Sequence, residues 1–244
     1  MKEKLKSAVT ALLLMCMTVP SSIAQTQATP RGLTEMVNNF TAVRTSFTIG
    51  PEASPDYLRG LEKRLDPKIV HTSNIVDSFK WTRYRNARTR KIIKYEYRIK
   101  YRISASQERK AQKRISQIAS SARKIRNQKS RAKYIYGKVI SGTKYRTTAQ
   151  SNYTAYGALI RRKACCQGLS DALALICSRA GIKSQIISGI STRNADSEAH
   201  MWVRLRIGGK WLYCDPTWDM KRRPYKFFLK SYAYFRRTGH IPAS

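Results

Sequence analysis

Two strand-like segments near the C-terminus constrain the fold more than any other feature of the sequence. Residues 200–207 and 210–215 mix aromatic, aliphatic and charged side chains, and Gly208-Gly209 separates them. Two consecutive glycines suit a tight two-residue turn between antiparallel strands, because that turn needs positive φ angles. The segment therefore predicts a β-hairpin, and a loop of these two residues would place Trp202 opposite Asp215.

The predicted register brings a histidine and a carboxylate to one face of the hairpin. His200 shares a face with Trp202 and is the diagonal neighbour of Asp215. Diagonal cross-strand partners lie ~7–8 Å apart at the backbone, a distance that long side chains can bridge. We therefore expect His200 and Asp215 to form a hydrogen bond, with Cys214 on the opposite face.

A helical pattern begins at Cys166. Leu169 and Leu173 recur at helical spacing, and Gly181 stands where a C-terminal cap belongs. The helix dipole stabilises a thiolate at a helix N-terminus, so we expect a lowered pKa for Cys166. The order cysteine, histidine, aspartate then supplies a nucleophile, a base and an orienting carboxylate. An inert buried cysteine is the alternative, and it describes Cys177 well.

Zinc binding is a rival interpretation of the same residue types. The candidate ligands would be Cys165, Cys166, His200 and Cys214. Adjacent cysteines lack the two-residue spacing of a usual zinc-binding cysteine pair, and Cys214 faces away from His200 in the predicted hairpin. We therefore favour the catalytic interpretation. His71 and His240 have no comparable setting, and we assign neither of them a role.

The N-terminus has the pattern of a secretory signal peptide. Three lysines within the first six residues precede an apolar run, and Ser22-Ile23-Ala24 offers small residues for cleavage. The apolar run is shorter than the ~20 residues that span a bilayer, which disfavours a membrane anchor. We expect removal of residues 1–24, which leaves 220 of the 244 residues as a secreted protein, extracellular or associated with the cell envelope.

The remaining chain is predicted to contain two regions. Residues 25–105 would form an extension with a β-hairpin, because Ile93–Ile103 alternates apolar and charged residues and Phe79–Tyr84 can pair with it. Residues 106–244 would form the catalytic domain, entered through a helix that the capping pattern from Ser104 to Gln107 starts. Weaker patterns predict a flexible lead-in at 25–33, a strand at 43–49, and a helix that begins near Ser54 and ends at Asp66-Pro67.

The charge of the chain is extreme. The formal net charge is +34, and the stretch from Arg83 to Arg146 holds 22 Lys and Arg residues against Glu96 and Glu108. Such a surface attracts polyanions through long-range steering and counterion release. An anionic cell-envelope polymer or another polyanion is therefore a candidate partner, and a merely solvated basic face is the alternative.

Several blocks together resemble the transglutaminase-like superfamily, in particular its secreted bacterial members. The segment from Ala164 to Gly168 is similar to the family's Val-Cys-x-Gly block, and His200-Met-Trp is similar to its His-Ala-Trp. The segment from Gly209 to Asp219 is similar to its Gly-x-Trp-Tyr-x-Asp-Pro-Thr-Trp-Asp signature. Cys165, Leu169-Ser170 and Met201 depart from the family's usual residues, but none of these departures removes a catalytic atom.

This resemblance implies an α+β fold with a papain-like transglutaminase core. The nucleophile helix would pack on an antiparallel β-sheet, preceded here by a basic N-terminal extension of strands and a helix. It also implies Cys166 as nucleophile, His200 as general base and acid, and Asp215 as orienting group, with no metal or organic cofactor. For the oxyanion, the candidates are the Cys166 backbone N–H and the side chains of Gln150 and Asn152.

The expected function is that of a secreted cysteine enzyme. It would use the Cys-His-Asp triad for acyl transfer or hydrolysis at peptide or isopeptide amides, as a protease or a transglutaminase does, and its partner would be a protein or peptide substrate. Hydrolysis is favoured over cross-linking, because water is the abundant acceptor in a dilute medium. The alternative is a non-catalytic basic module that binds anionic cell-envelope polymers.

Overall fold

The computed structural model describes residues 3–5, 31–51, 67–192, 198–220 and 225–243. Within these ranges the strands are β1 (Glu3–Leu5), β2 (Ser46–Ile49), β3 (Val76–Arg85), β4 (Ile92–Tyr101), β5 (Lys144–Tyr145), β6 (Lys163–Ala164), β7 (Ser184–Ser191), β8 (Glu198–Ile207), β9 (Lys210–Cys214) and β10 (His240–Pro242). The α-helices are α1 (Arg31–Thr41), α2 (Pro67–Ile75), α3 (Ala105–Arg123), α4 (Gln128–Ile140), α5 (Cys166–Arg179), α6 (Pro216–Asp219) and α7 (Tyr232–Arg237). A 3₁₀ turn (Gln150–Tyr153) and a π-helical turn (Gly157–Arg161) lead into β6.

An N-terminal antiparallel sheet has the strand order β1-β3-β4-β2. The predicted alternation is present in β4, where Tyr95, Tyr97 and Ile99 are buried. The predicted pairing with the preceding strand is confirmed, since Trp81 lies opposite Tyr97. Phe47 on β2 stacks on Tyr97 with ring centroids 5.3 Å apart, so aromatic side chains fill the inner face of this sheet.

The N-terminal region differs from the predictions in two places. The flexible lead-in predicted for residues 25–33 is wrong at its end, because α1 begins at Arg31 and buries Met36 and Phe40 against the sheet. The helix expected after Ser54 lies outside the described residues, as does most of the predicted signal peptide. Pro67, expected to end a helix, is the first residue of α2, a position where a missing N–H costs nothing.

A second antiparallel sheet, of order β10-β7-β8-β9, supports the central helix α5. Every residue from Gly168 to Cys177 is buried, and α5 packs against β7 and β8 on one side and against α2, α3 and α4 on others. The predicted cap on α3 is present, with Ser104 and Gln107 bonded reciprocally. The expected α+β arrangement, a helix packed on an antiparallel sheet, is confirmed. None of the described helices is both long and apolar enough to cross a membrane.

Candidate active site

The hairpin of β8 and β9 has the predicted register. Val203 lies opposite Cys214, and the turn glycines have φ angles of 55° and 79°. His200 therefore shares a face with Asp215, which directly follows β9 and is the N-terminal cap of α6. His200 Nε2 and Asp215 Oδ2 are 2.8 Å apart, so the hydrogen bond expected from the register is present.

The Asp215 carboxylate receives four hydrogen bonds in a fully buried position. Oδ1 accepts from the backbone N–H groups of Thr217 at 2.8 Å and Trp218 at 3.1 Å. Oδ2 accepts from His200 and, at 3.0 Å, from His240 Nε2. Two bonds to each oxygen fill the acceptor sites of an ionised carboxylate, so the side chain cannot rotate without breaking several of them.

Ionisation of Asp215 determines the tautomers of its histidine partners. Burial by itself would raise the pKa of Asp215, but the charges and hydrogen bonds of His200 and His240 outweigh burial and lower it to about 2. An ionised carboxylate only accepts hydrogen bonds. His200 must therefore donate through Nε2, which leaves its Nδ1 unprotonated and able to accept a proton when the ring is neutral.

Cys166 is the first residue of α5, and two contacts link the start of this helix to Met201, the residue after His200. The backbone N–H of Met201, the residue after His200 on β8, faces the Cys166 sulfur. Ser170 Oγ, one turn further along α5, donates to the Met201 carbonyl at 3.0 Å. The start of α5 is therefore fastened to the strand that carries the imidazole, and the Cys166 thiol stays half-exposed at the surface.

Gly168 permits close packing in the first turn of α5. A Cβ at this position would lie 2.5 Å from the Asn152 carbonyl oxygen and 2.8 Å from that of Thr154. Both neighbours are backbone atoms of the loop before α5 and cannot move aside independently. Any larger residue would push α5 away from this loop and displace Cys166.

The pKa of the Cys166 thiol is raised, and the expectation that it would be lowered was wrong. Its hydrogen bond with the Cys165 side chain and its burial are the main causes. The cap position belongs to Cys165, whose sulfur faces the N–H groups of Gly168 and Gln167 without reaching the geometry of a cap hydrogen bond. The Cys166 thiol and these N–H groups outweigh burial and lower the pKa of Cys165 to about 7. The helix terminus thus favours a thiolate one residue earlier than predicted.

The two side-chain candidates for the oxyanion have partners of their own. Gln150 is exposed, and its Oε1 accepts a hydrogen bond from Arg102. In the orientation that satisfies its amide, Asn152 donates to the Lys163 carbonyl at 3.1 Å and accepts from the Ala149 N–H at 3.3 Å. The Cys166 backbone N–H belongs to the first turn of α5, where N–H groups have no partner within the helix.

Sequence reasoning missed the surroundings of two histidines. His240 lies on Asp215, and His71 Nδ1 and Nε2 each lie 2.8 Å from a carboxylate oxygen, of Asp171 and Glu108 respectively. Both rings are buried, which contradicts the view that they have no particular setting. One signal was available, since Asp171 is an ionisable residue on an otherwise apolar face of α5 and requires a partner. His240 offered no comparable pattern.

The side chains of His200, Asp215 and His240 are also of the types that bind metal ions. One ligand atom each from His200, Asp215 and His240 lies within 4.8 Å of the others. Hydrogen bonds of normal length already account for this cluster, and both oxygens of Asp215 are saturated. The four zinc ligands suggested by the sequence do not come together. Cys214 lies on the other face of the hairpin, and its sulfur accepts a hydrogen bond from the Leu229 N–H at 3.3 Å.

A family match covers the part of the chain that holds these side chains. Residues 115–216 match the sequence pattern of the transglutaminase-like superfamily core. This range contains Cys166, His200 and Asp215 and ends before His240. This segment of the chain is therefore similar to the transglutaminase-like core, and the resemblance stated from the sequence is confirmed.

Three solved structures of low sequence identity are similar to part of the chain. A structure of a TGase is 15% identical, covers 66% of this chain and 48% of its own, and has a TM-score of 0.41. A candidate cysteine protease from Cytophaga hutchinsonii is 13% identical, with coverage of 64% and 58% and a TM-score of 0.41. The periplasmic domain of TgpA from Pseudomonas aeruginosa is 14% identical, with coverage of 55% and 58% and a TM-score of 0.36.

The chain spans about half to three fifths of the length of these three structures. A search of curated proteins found no match to the chain.

Proposed function

We propose that this protein is a cysteine-dependent amide hydrolase or acyltransferase with Cys166 as nucleophile. His200 is the general base and acid, and Asp215 orients it. The observation that carries the proposal is the 2.8 Å hydrogen bond from His200 to a buried, saturated carboxylate, beside the N-terminus of α5. A nucleophile, a base and a group that orients the base are the minimum set for acyl transfer.

The reaction follows from the tautomer of His200. The Cys166 thiol gives its proton to Nδ1 of His200, and its sulfur forms a bond to the amide carbonyl carbon while the π electrons move to oxygen. When the C–N bond breaks, the amine leaves with the proton of the His200 imidazolium. Water, or an amine in the transfer reaction, then attacks the thioester carbon through His200 as base, and the Cys166 thiol is released.

Stabilisation of the oxyanion is proposed to come first from the backbone N–H of Cys166. It lies in the first turn of α5 and is fixed by the same helix as the sulfur. Gln150 and Asn152 remain candidates as further donors. Asn152 would have to give up its bond to the Lys163 carbonyl, whereas the described hydrogen bond of Gln150 uses Oε1 and leaves its N–H groups available as donors.

The proposed substrate is a protein or peptide outside the cytoplasm, reached after removal of residues 1–24. Hydrolysis is favoured over cross-linking by the abundance of water as acceptor. The two reactions are distinguished by supplying a primary amine together with a peptide substrate. Incorporation of the amine would identify a transferase, and release of a free carboxylate would identify a hydrolase.

Replacement of the nucleophile tests the proposal. Cys166→Ala is expected to abolish turnover of a peptide library, measured by mass spectrometry, because the proposed thioester forms on the Cys166 sulfur. Cys177→Ala is the matched control, since it makes the same change eleven residues later on α5, at a fully buried position. Turnover by Cys166→Ala equal to that of Cys177→Ala would refute the proposal.

Charge favours a second candidate function, binding of an anionic cell-envelope polymer. Residues 109–170 contain 16 Lys and Arg residues and no Asp or Glu. Helix α4 and all but the first four residues of α3 lie within this stretch, and most of their basic side chains are exposed. Such a surface would attract a polyanion whether or not the thiol is reactive.

A further inference from the structure

The C-terminal strand reaches the site from across the sheet. In β10, His240 lies opposite Ser191 and Pro242 lies opposite Gly189 on β7. On the other side of β7, Gly189 lies opposite His200. Residues directly opposite in a sheet share a face, and so do residues two apart in one strand. His240 and His200 therefore project from the same face, with β7 between them.

Gly189 allows the two histidines to approach one carboxylate. A Cβ at this position would lie 2.2 Å from the Ile241 carbonyl oxygen and 2.7 Å from Cη2 of Trp202. The missing side chain leaves room for the Trp202 ring over β7 and for β10 alongside it. The absence of a side chain at Gly189 on β7 therefore allows β10 to approach closely.

Aromatic rings hold the His240 imidazole in place. Its ring centroid lies 4.1 Å from that of Trp218, 4.3 Å from that of Phe235 and 5.0 Å from that of Trp202. The His240 side chain is fully buried, and its Nδ1 is 3.4 Å from Thr238 Oγ1. A ring enclosed in this way has one orientation, with Nε2 directed at Asp215 Oδ2.

We propose that His240 is a positioning residue for the active site, supplied by the segment beyond the matched family core. Its Nε2–H is the second donor to Asp215 Oδ2 and completes the four bonds that fix the carboxylate. Without it, a buried oxygen would have His200 as its single donor, and the carboxylate could turn away from the imidazole. The inference rests on the proposed function, because His240 is proposed to act on Cys166 through Asp215 and His200.

The test compares His240→Phe with His240→Gln in the full chain. Phenylalanine keeps an aromatic ring in the enclosure but removes the donor, whereas glutamine carries an N–H near the position of Nε2. The readouts are the rate of Cys166 alkylation by iodoacetamide, located by peptide mass spectrometry from pH 5 to 9, and kcat and KM for a peptide substrate. Circular dichroism and thermal melting establish that each variant is folded.

His240→Phe is expected to lower the alkylation rate and kcat by about 10- to 100-fold with KM unchanged, the usual effect of losing an outer hydrogen bond to a functional group. The loss should appear in kcat and not in KM, because His240 is proposed to act through Asp215 and His200 and not on the substrate. His240→Gln should recover most of the rate. The titratable side chains that interact electrostatically with Asp215 are His200, His240, Cys166, Cys214, Asp219 and Tyr136.

Two results would overturn the inference. A folded His240→Phe variant with the wild-type rate and pH profile would show that His240 does not act through His200. Equal losses in folded Phe and Gln variants would assign it a packing role. Failure of the proposed function would give a different result, because peptide turnover would then persist in Cys166→Ala. In that case the alkylation rates of Cys166 in the wild type and in the His240 variants would still test the effect of His240.

Discussion

Cys165 and Cys166 share the start of α5 but meet different surroundings. Cys165 is 2% exposed and occupies the N-cap position of α5 without a side-chain cap hydrogen bond, whereas Cys166 is half-buried and borders β8. The two thiols are close enough for each to shift the pKa of the other. Cys166 is the more accessible of the two thiols, while the lower pKa belongs to Cys165. In the proposed mechanism, the Cys165 side chain would therefore lower the reactivity of Cys166.

Replacement of Cys165 tests this relation. In Cys165→Ala the main cause that raises the pKa of Cys166 is gone, so the pKa should fall and alkylation of Cys166 at pH 7 should become roughly three- to tenfold faster. The measurement is the iodoacetamide rate followed by mass spectrometry, with Cys177→Ala as control. An unchanged or slower rate would contradict the role given to Cys165.

At the scale of secondary structure elements, a buried ionic cluster joins three helices. His71 on α2 lies between Glu108 on α3 and Asp171 on α5, and Asp171 Oδ2 also accepts from the Ala155 N–H at 3.1 Å. Burial opposes a charged imidazole, but the two carboxylates outweigh it and raise the pKa of His71 to about 10. The cluster therefore fixes α2 and α3 to the helix that carries Cys166.

Loss of the His71 imidazole should destabilise the protein strongly. His71→Leu leaves two buried carboxylates without their cation, which costs about 3–5 kcal/mol of unfolding free energy. Urea unfolding at pH 6 measures the loss. The triple variant with Asp171→Asn and Glu108→Gln should recover much of it, because it removes the uncompensated charges. A loss below about 1 kcal/mol in His71→Leu would contradict this account.

The same cluster predicts a pH dependence of stability. The pKa of His71 is about 10 in the folded state against an ordinary value of 6.5, so the folded state holds this proton more tightly than the unfolded state. Its contribution is complete below about pH 6.5 and declines as the pH rises toward about 10. Unfolding free energies at pH 6 and 9 should therefore differ more in the wild type than in His71→Leu. An identical difference in both proteins would count against the charged His71.

At the scale of the whole molecule, basic charge is concentrated in residues 109–170, a stretch of sequence without Asp or Glu. A surface cavity of about 300 Å³ between α3 and α4 is lined by Arg114, Gln117, Ile118, Ser121, Tyr134 and Lys138. Arg162 lies close enough to Arg114 for their charges to interact, and proximity to Arg114 adds to burial in lowering the pKa of Arg162. Like charges held this close favour a bound anion, which supports the proposed polyanion partner.

Salt dependence provides the corresponding test. Binding of inorganic polyphosphate, measured by fluorescence anisotropy, should weaken at least about 100-fold between 50 and 200 mM NaCl, because a contact surface of several lysines and arginines releases counterions. Cys166→Ala should bind as the wild type does, since the surface does not involve the thiol. Salt-insensitive binding, or none at 50 mM NaCl, would eliminate this partner.

The sequence by itself determined the features that depend on neighbours a few residues away. The hairpin register follows from Gly208-Gly209, the start of α3 from Ser104, and the start of α5 from the stripe after Cys166, because turn chemistry, capping and periodicity act locally. The bond between His200 and Asp215 was predictable for the same reason, since the two residues face each other across one hairpin.

Only the tertiary structure decided which distant side chains meet. His71 and Asp171 are 100 positions apart in the sequence. His240 contacts Asp215 because β10 pairs with β7 next to Gly189. No local sequence pattern predicts either contact. The pKa of Cys166 is likewise determined by tertiary contacts. It depends on burial and on the direction of the Cys165 thiol, which packing determines and periodicity does not.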